Sequence, residues 1–531
     1  MNERKIQSWL PLLLGVVLAF GMVGGYQLQR HLGRQPALFR QATTGSVDQV
    51  MNLVKQKYVD SISLDSLEFA AIETITGRLD PHSVFIPVSS MEDVEADLAG
   101  SFSGIGIEYQ MIRDTLFVVR VIENGPAFKA GLMAGDAILK VNDSSIAGTS
   151  ISTRNLRDLL RGKSGSMVKV SLLRNAQNII KEIVRGDVPF KSVDTYYMAE
   201  AGTGYIKINR FAETTFFEFM DALTALQKSN LRDLVLDLRG NGGGLLEEAT
   251  KIADELLEDG LPIVTTRGAK VKESKVLATK PGLFEQGNIV VLIDEQSASA
   301  SEVLAGALQD HDRATVIGRR SFGKGLVQEQ YNLANGGALR LTVARYFTPL
   351  GRGIQKDYLN NRNGYNLEII ERFHTNGTVQ QPDTVGKKIF FTRKGKALYE
   401  AGGIWPDISV PFDTVLLPKA LINLYRSDLY DELVFDCFRD NYQVIKNYKD
   451  ISSFNQKFII NEGMWSQIIS KSAHDSIKLD GLNGGEKQGF ETRFKAQVAR
   501  YFWGNEGYYK LINQHDPAYN KAIEYLQANK S

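Results

Sequence analysis

The chain carries a single cysteine, Cys437, in 531 residues. One thiol closes no intramolecular disulfide and builds no Cys-x-x-Cys metal site, and it leaves the redox compartment open. Histidine is sparse as well. His31, His82, His311, His374, His474 and His515 stand apart with no His-Glu-x-x-His pattern, so no metal centre or other cofactor is expected. Neither sign of charge dominates: 62 Lys and Arg against 61 Asp and Glu leave a net charge of +1, which gives no electrostatic case for nucleic acid. Long apolar runs are missing too, except near the start. At this length one core does not suffice, and roughly three or four domains are expected.

The exceptional run is Ile6–Gln29, which has no charged residue and is strongly apolar from Trp9 to Tyr26. A bilayer crossing needs roughly 20 such residues, and Trp9 and Tyr26 stand near the ends as interfacial aromatics do. Arg4 and Lys5 precede it and Arg30, Arg34 and Arg40 follow, so flanking charge does not fix its orientation. Ala19-Phe20-Gly21 would pass as a signal cleavage site, but the run continues beyond it. The expectation is an uncleaved single-pass anchor over 1–29 with the remainder exported, or an exported soluble form if the segment is cleaved.

In 30–95, Val47, Val50, Leu53, Val54 and Tyr58 recur at helical spacing, as do Leu67, Ala70, Ala71, Ile72 and Ile75. Two helices are predicted with a turn near Asp60–Ser66. Pro81, in Leu79-Asp80-Pro81-His82-Ser83, ends the second. His82 beside Asp80 invites a catalytic role, but a loop histidine that packs or hydrogen-bonds is the plainer expectation.

In 96–187, Ser103-Gly104-Ile105-Gly106-Ile107-Glu108 precedes a strand-like run, Leu116–Val121. Gly125-Pro126-Ala127, Ala130-Gly131-Leu132 and Gly135-Asp136-Ala137-Ile138-Leu139-Lys140-Val141-Asn142 follow, then a helix from Thr153 and a strand from Val168. These pieces, in this order, resemble a PDZ domain. Such domains bind a peptide C-terminus by strand addition, and a glycine loop offers N–H groups to its carboxylate. Here that loop would be Gly104, Ile105, Gly106 and Ile107.

In 188–412, Tyr205–Ile208 and Leu234–Leu238 read as buried strands, the second running into Arg239-Gly240-Asn241-Gly242-Gly243-Gly244 and a helix over Leu245–Leu257. The loop lacks both the GxGxxG spacing and a Walker lysine, so nucleotide binding is not expected. Then come the apolar run Ile289–Ile293, the turn Ser297-Ala298-Ser299-Ala300-Ser301-Glu302 opening a helix, the run Thr315-Val316-Ile317, and Ser321-Phe322-Gly323-Lys324-Gly325-Leu326-Val327-Gln328. A serine at a helix start faces N–H groups that have no partner, which suits a developing oxyanion. A lysine can act as its base if burial lowers its pKa. Taken alone, the same residues read equally well as a serine N-cap and an unrelated surface lysine. Leu339–Tyr346 is a further strand, closed by Thr348-Pro349.

The order of PDZ pieces, Asp-Leu-Arg-Gly-Asn-Gly-Gly-Gly, Ser-Ala-Ser-Ala-Ser-Glu, Phe-Gly-Lys-Gly-Leu-Val-Gln, Ala-Arg-Tyr-Phe-Thr-Pro and Gly403-Ile404-Trp405-Pro406-Asp407 resembles the carboxy-terminal processing proteases, tail-specific serine peptidases with a Ser–Lys dyad. The resemblance covers roughly residues 45–412. It implies a multidomain α/β chain with a ClpP/crotonase-like protease core over 188–412, an inserted PDZ domain over 96–187, an N-terminal membrane segment and helical flanking regions. It selects Ser299 as nucleophile, Lys324 as base and Gln328 as the residue that orients the lysine. The oxyanion donors would be the N–H of Ala300 and one from the Gly243–Gly244 region, with Gly243 the first candidate. Ser297 and Ser301 are left as turn, cap or packing residues. A triad of Ser299 with His311 and Asp310 or Asp312 is conceivable but looks like a solvated helix end.

Two regions depart from that pattern. Asp357–Lys394 is a polar stretch where the family has a short link, and a solvated surface loop is expected, with the wall of a substrate channel as the alternative. Residues 413–531 read as an α-helical C-terminal domain, a place for dimerisation or an adaptor. The function expected is a bacterial inner-membrane endopeptidase working in the periplasm on protein substrates held by their C-terminal tails. The alternatives are a catalytically silent PDZ scaffold or adaptor and, less supported, an acyl-CoA enzyme on a crotonase fold.

Overall fold

A computed structural model describes residues 45–358, 364–374, 388–400, 402–411 and 417–529, with residues 15, 17, 21 and 22 before them. The chain forms two compact units, Met1–Arg78 and Leu79–Ser531. In the first, the expected helices are α1 (Ser46–Lys57) and α2 (Leu64–Thr76), the latter capped by Ser63, whose hydroxyl accepts from Ser66 N–H at 3.3 Å. The proposed anchor, Ile6–Gln29, lies almost wholly outside the described residues. Among those that are described, no helix is long and apolar enough to cross a membrane.

The second unit begins at the Asp80-Pro81-His82-Ser83 turn and β1 (Val84–Ile86). Strand β2 (Ser101–Gly104) leads into a sheet of β3 (Ile107–Ile112), β4 (Thr115–Val121), β5 (Ala137–Val141), β6 (Met167–Arg174) and β7 (Gln177–Val184), joined by the short pair Ser144–Ser145. Helix α3 (Thr153–Leu160) buries Leu156 and Leu160, one turn apart, in the same small core as Val118, Ile138 and Val170. The chain leaves by β8 (Gly186–Pro189), which pairs with β2, so entry and exit form one two-stranded stem. Strand β3 is an edge of its sheet.

The central sheet follows: β9 (Val193–Glu200), β10 (Thr203–Ile208), β11 (Asp233–Asp237), β14 (Ile289–Ile293), β15 (Ala314–Gly318) and β18 (Ile408–Ser409), in that spatial order, parallel except for β9. Between them lie α4 (Thr215–Lys228), α5 (Leu246–Asp254), β12 (Pro262–Arg267), β13 (Ser274–Leu277) and α6 (Ala300–Asp310). The strands are apolar throughout because both faces are covered. Leu234, Leu236, Ile289, Val291 and Val316 face α4, α5 and α6, while Val235, Val290, Leu292 and Ile317 face the other way. That second face is covered by a helix from the far end of the chain. After α7 (Gly364–His374), the helices α8 (Asp428–Ile445) and α9 (Gly484–Ile512) build their own core, but α10 (Pro517–Ala528) seats Ala518, Ala522 and Leu526 on the central sheet. Arg239 binds both carboxylate oxygens of Asp516, the N-cap of α10, at 2.9 and 2.7 Å.

A second sheet holds β1, β12, β13, β16 (Leu326–Asn332) and β17 (Ala338–Phe347). The register between β16 and β17 shifts between Val327 and Gln328, a bulge that re-aims Gln328. The region over Asp357–Lys394 is not merely a surface loop in its described part: α7 buries Tyr365 against Phe322, Leu326 and Tyr358. Finally, β3–β4 rests on the C-terminal helices through Arg113, paired with Glu432 and Asp436 at 3.2 and 2.9 Å, and through Phe117 against Phe435.

Candidate active site

Ser299 ends the loop after β14 and caps α6. Its φ is 55° and its ψ −114°, left-handed territory that a non-glycine residue occupies at a cost of roughly 1–3 kcal/mol. Its own N–H donates to Glu302 Oε2 at 2.9 Å. Among the described residues its hydroxyl donates to no group and the Ala300 N–H has no hydrogen-bond partner. The flanking hydroxyls are occupied: Ser297 Oγ donates to Leu238 O and Ser301 Oγ to Asn241 O, each at 2.9 Å.

The glycine loop after β11 packs against this turn. Asn241 organises it, donating from its side chain to Ile208 O at 3.1 Å and accepting Ala298 N–H on its carbonyl at 3.0 Å. Gly243 has φ 98°, and a Cβ there would lie 2.8 Å from Ser299 Cβ, so the position tolerates no side chain. The Gly243 N–H, expected to face an oxyanion, donates here to Asn241 Oδ1 at 2.9 Å. Of Ala300 and Gly243, only Ala300 has an unengaged N–H. Behind the loop, Asp237 is fully buried, yet Arg239 and Lys207 outweigh burial and hold its carboxyl well below the usual range.

Lys324 is brought to Ser299 by two connectors. Glu302, fully buried one turn into α6, accepts from Ser299 N–H, Ser321 Oγ, Gly323 N–H at 2.7 Å and Lys324 N–H at 2.8 Å. Burial pushes its carboxyl up to about 7, against the pull of those donors. The Tyr346 hydroxyl lies between the carbonyls of Ser299, at 3.0 Å, and Lys324. The two main chains are thus held within reach of a four-carbon side chain. Burial, then Arg340, lowers the Lys324 pKa, with Glu302 and Asp80 opposing. Its Nζ donates to Gln328 Oε1 at 2.8 Å.

Gln328 Nε2 in turn donates to the His82 carbonyl. That carbonyl is fixed by the turn around Asp80, whose carboxylate accepts from His82 N–H at 2.8 Å, Ser83 N–H at 3.0 Å and Thr342 Oγ1 at 3.0 Å. The His82 ring meets the Tyr365 hydroxyl at 2.8 Å, and burial, then Lys324, pushes its pKa down to about 4. His82 is neutral near pH 7 and serves through its carbonyl. The His311 triad does not assemble: His311 sits at the far end of α6 with Nε2 2.7 Å from Pro262 O, and Asp310 pairs with Arg352. An 11-residue helix puts them roughly 16 Å from Ser299.

Glu302, Tyr346 and Asp80 were not singled out from the sequence. For Glu302 a signal existed, since Ser299-x-x-Glu302 has capping-box spacing. Tyr346 acts across a long sequence distance and gave none, whereas the Asp80-Pro81-His82-Ser83 turn was visible but its link to Gln328 was not.

In the loop at Gly104–Ile107, the carbonyls of Ile105 and Gly106 accept from Ala127 N–H at 2.7 Å and Ile122 N–H at 3.0 Å. The Ile105 and Gly106 N–H groups donate to no described residue. With β3 a free edge beside it, the loop has the makings of an anion nest. No cluster of His, Cys, Asp and Glu fit to hold a metal occurs among the described residues.

Comparison with known proteins gives this arrangement its class. A model of peptidase family S41 matches residues 202–361, one of PDZ domains matches 103–183, and a family of unknown function matches 420–504. The chain belongs to peptidase family S41: a mixed α/β fold with a PDZ domain, and a serine-type endopeptidase. Its similarities narrow this to the carboxy-terminal-processing proteases. One of that name from Bartonella bacilliformis is 39% identical over 313 residues, 58% of this chain and 71% of that protein. A probable CtpA-like serine protease of Staphylococcus aureus is 33% identical over 326 residues, 60% of this chain and 64% of that one. The solved photosystem II D1 C-terminal processing protease is 27% identical, covers 72% of this chain and 91% of its own, and has a TM-score of 0.35.

Proposed function

We propose that the peptidase works by a Ser299–Lys324 dyad on substrates delivered by their C-terminal tails. The observation that carries this is the half-buried Lys324 amine, hydrogen-bonded to Gln328 Oε1 at 2.8 Å in the same cradle that holds Ser299 at a helix start. In the neutral state, Lys324 Nζ takes the Ser299 Oγ proton as Oγ attacks the scissile carbonyl carbon. The oxyanion faces the Ala300 N–H and the positive end of α6. Collapse breaks the C–N bond, and the Lys324 ammonium gives its proton to the leaving amine. Water, deprotonated by the same lysine, then attacks the acyl-enzyme, releasing the carboxylate product and restoring Ser299. Gln328, held by His82, accepts from the amine and aims it.

The substrate's terminal carboxylate would bind the Ile105 and Gly106 N–H groups, flanked by Gly104 and Ile107, with its tail added to β3. The strand–glycine-loop–helix unit followed by a strand–serine-turn–helix unit supports a ClpP/crotonase type of core. The uncharged run Ile6–Gln29 supports a single-pass anchor in a bacterial inner membrane with the catalytic part in the periplasm. Mass analysis of the native N-terminus after membrane fractionation tests this, since a mature chain lacking the run would refute the anchor. For the dyad, purified Lys324→Ala protein is assayed on a tailed peptide. Cleavage at the wild-type rate would sink the assignment.

A further inference from the structure

The backbone that carries Lys324 is held along its whole length. Every N–H and C=O from Ser321 to Gly325 is hydrogen-bonded. Ser321 N–H goes to Ile404 O, Phe322 N–H to Ser297 O, Gly323 and Lys324 N–H to Glu302, and Gly325 N–H to Gln355 Oε1. Gly323 O accepts from Lys356 N–H, Lys324 O from the Tyr346 hydroxyl and Gly325 O from Tyr346 N–H. The remaining two carbonyls, Ser321 O and Phe322 O, are held by one side chain, Arg372, at 2.8 and 3.4 Å, and Arg372 also reaches Arg320 O at 3.1 Å.

Arg372 comes from α7, in the stretch where this chain departs from its family's short link. The guanidinium is set by Glu368 on the same helix, at 2.7 and 2.8 Å, and its side chain is 8% exposed. Glu368 also binds Arg320 and Lys356, so the helix is tied to both flanks of the segment. One turn before Glu368, Tyr365 touches the opposite wall of the site: its hydroxyl meets the His82 ring, and the His82 carbonyl holds Gln328. A single inserted helix therefore grips the lysine's backbone with one residue and the lysine's orienting glutamine, through His82, with another. A helix that merely filled surface space would have no reason to direct a planar five-donor fork at consecutive loop carbonyls.

We propose that Arg372 and Tyr365 are positioning residues for the peptidase reaction, acting through the Ser321–Gly325 backbone and through His82 to fix where the Lys324 amine lies and how dry it stays. This rests on Lys324 being the base.

The full chain is compared as wild type, Arg372→Ala, Arg372→Lys, Tyr365→Phe and Lys324→Ala on one tailed fluorogenic peptide from neutral to alkaline pH. Arg372→Ala is expected to lower kcat about tenfold or more with KM within about twofold, since small misplacements of a catalytic group are that costly. The pH of half-maximal kcat moves upward, because a wetter lysine holds its proton longer. Arg372→Lys restores part of kcat, and Tyr365→Phe shows the same pattern at smaller size. A folded Arg372→Ala protein with the wild-type kcat and pH profile overturns the proposal. If Arg372→Ala does not fold, Tyr365→Phe and Arg372→Lys decide by the same profile. Inactive Lys324→Ala beside wild-type-like Arg372→Ala removes only the positioning role, whereas active Lys324→Ala removes the base assignment and the proposal with it.

Discussion

The serine turn and the lysine segment solve one problem in opposite ways. The turn around Ser299 is built from neighbours in the central sheet: a left-handed backbone, the glycine loop of the adjacent strand and the Asn241 carbonyl. Its geometry is enforced by sterics, since a Cβ at Gly243 would collide with Ser299. The lysine segment carries a left-handed glycine too, Gly323 with φ 92°, where a Cβ would lie 2.9 Å from Gly402 C. It is held from outside, by Ser297 and Glu302, Tyr346, Gln355 and Lys356, Arg372 and Ile404. The serine turn is thus fixed by one neighbouring loop packed against it, and the lysine segment by hydrogen bonds from many separate elements. A nucleophile needs a fixed direction, whereas a base needs a tuned environment, and only surroundings can tune a pKa.

This contrast can be broken from both sides. The largest effect is expected for Ser299→Ala and for Lys324→Arg, each losing activity by roughly a thousandfold or more; arginine keeps the charge but cannot act as a base. Trapping checks the first: Ser299→Ala accumulates bound full-length substrate that wild type consumes. Next comes Gly243→Ala, which attacks the turn by sterics alone, and a drop of roughly 1–3 kcal/mol in chemical denaturation should accompany lost activity. Glu302→Gln comes third. An amide cannot accept from all four donors, and about 1.5–3 kcal/mol of stability should go with the link between the two halves.

Fourth is a pH effect. His82 is depressed from its ordinary 6.5 to about 4 in the folded chain, so it contributes stability above pH 6.5 that is lost as pH falls through about 4. Thermal melts of His82→Gln should lack that part of the acid-side decline, and an identical decline in both proteins refutes it. The smallest effect belongs to Ser301→Ala, which removes one bond to Asn241 O: about 1 kcal/mol in the melt with kcat unchanged.

What was legible in the sequence follows the same division. Short-range features were readable. The strand, serine turn and helix around Ser299 are visible because period and punctuation are local, and Lys324 and Gln328 follow from motif order. The glycine-rich pattern does not display that the Asn241 side chain, two residues earlier, takes the Gly243 N–H. The rest depended on distance. That His82 serves through its carbonyl requires the β16–β17 bulge and a partner 246 positions away. Tyr365 and Arg372 sit in a polar stretch whose composition matches a solvated loop, and nothing local marks the two as buried. The apolar stripe of α10 looks like any amphipathic helix, so its place on the central sheet, apart from the other C-terminal helices, could not be read from its period.

The position of α10 also sets an order of events during synthesis. The parallel strands that carry the serine turn are complete by Gly318, whereas the helix that covers their second face begins at Pro517. At 5–20 residues per second the ribosome needs roughly 10–40 s to make the roughly 200 residues between. Throughout that interval Val235, Val290, Leu292 and Ile317 lack the cover of α10, and Arg239 has no Asp516. The catalytic scaffold is thus sealed only after the PDZ domain and the other C-terminal helices have been made.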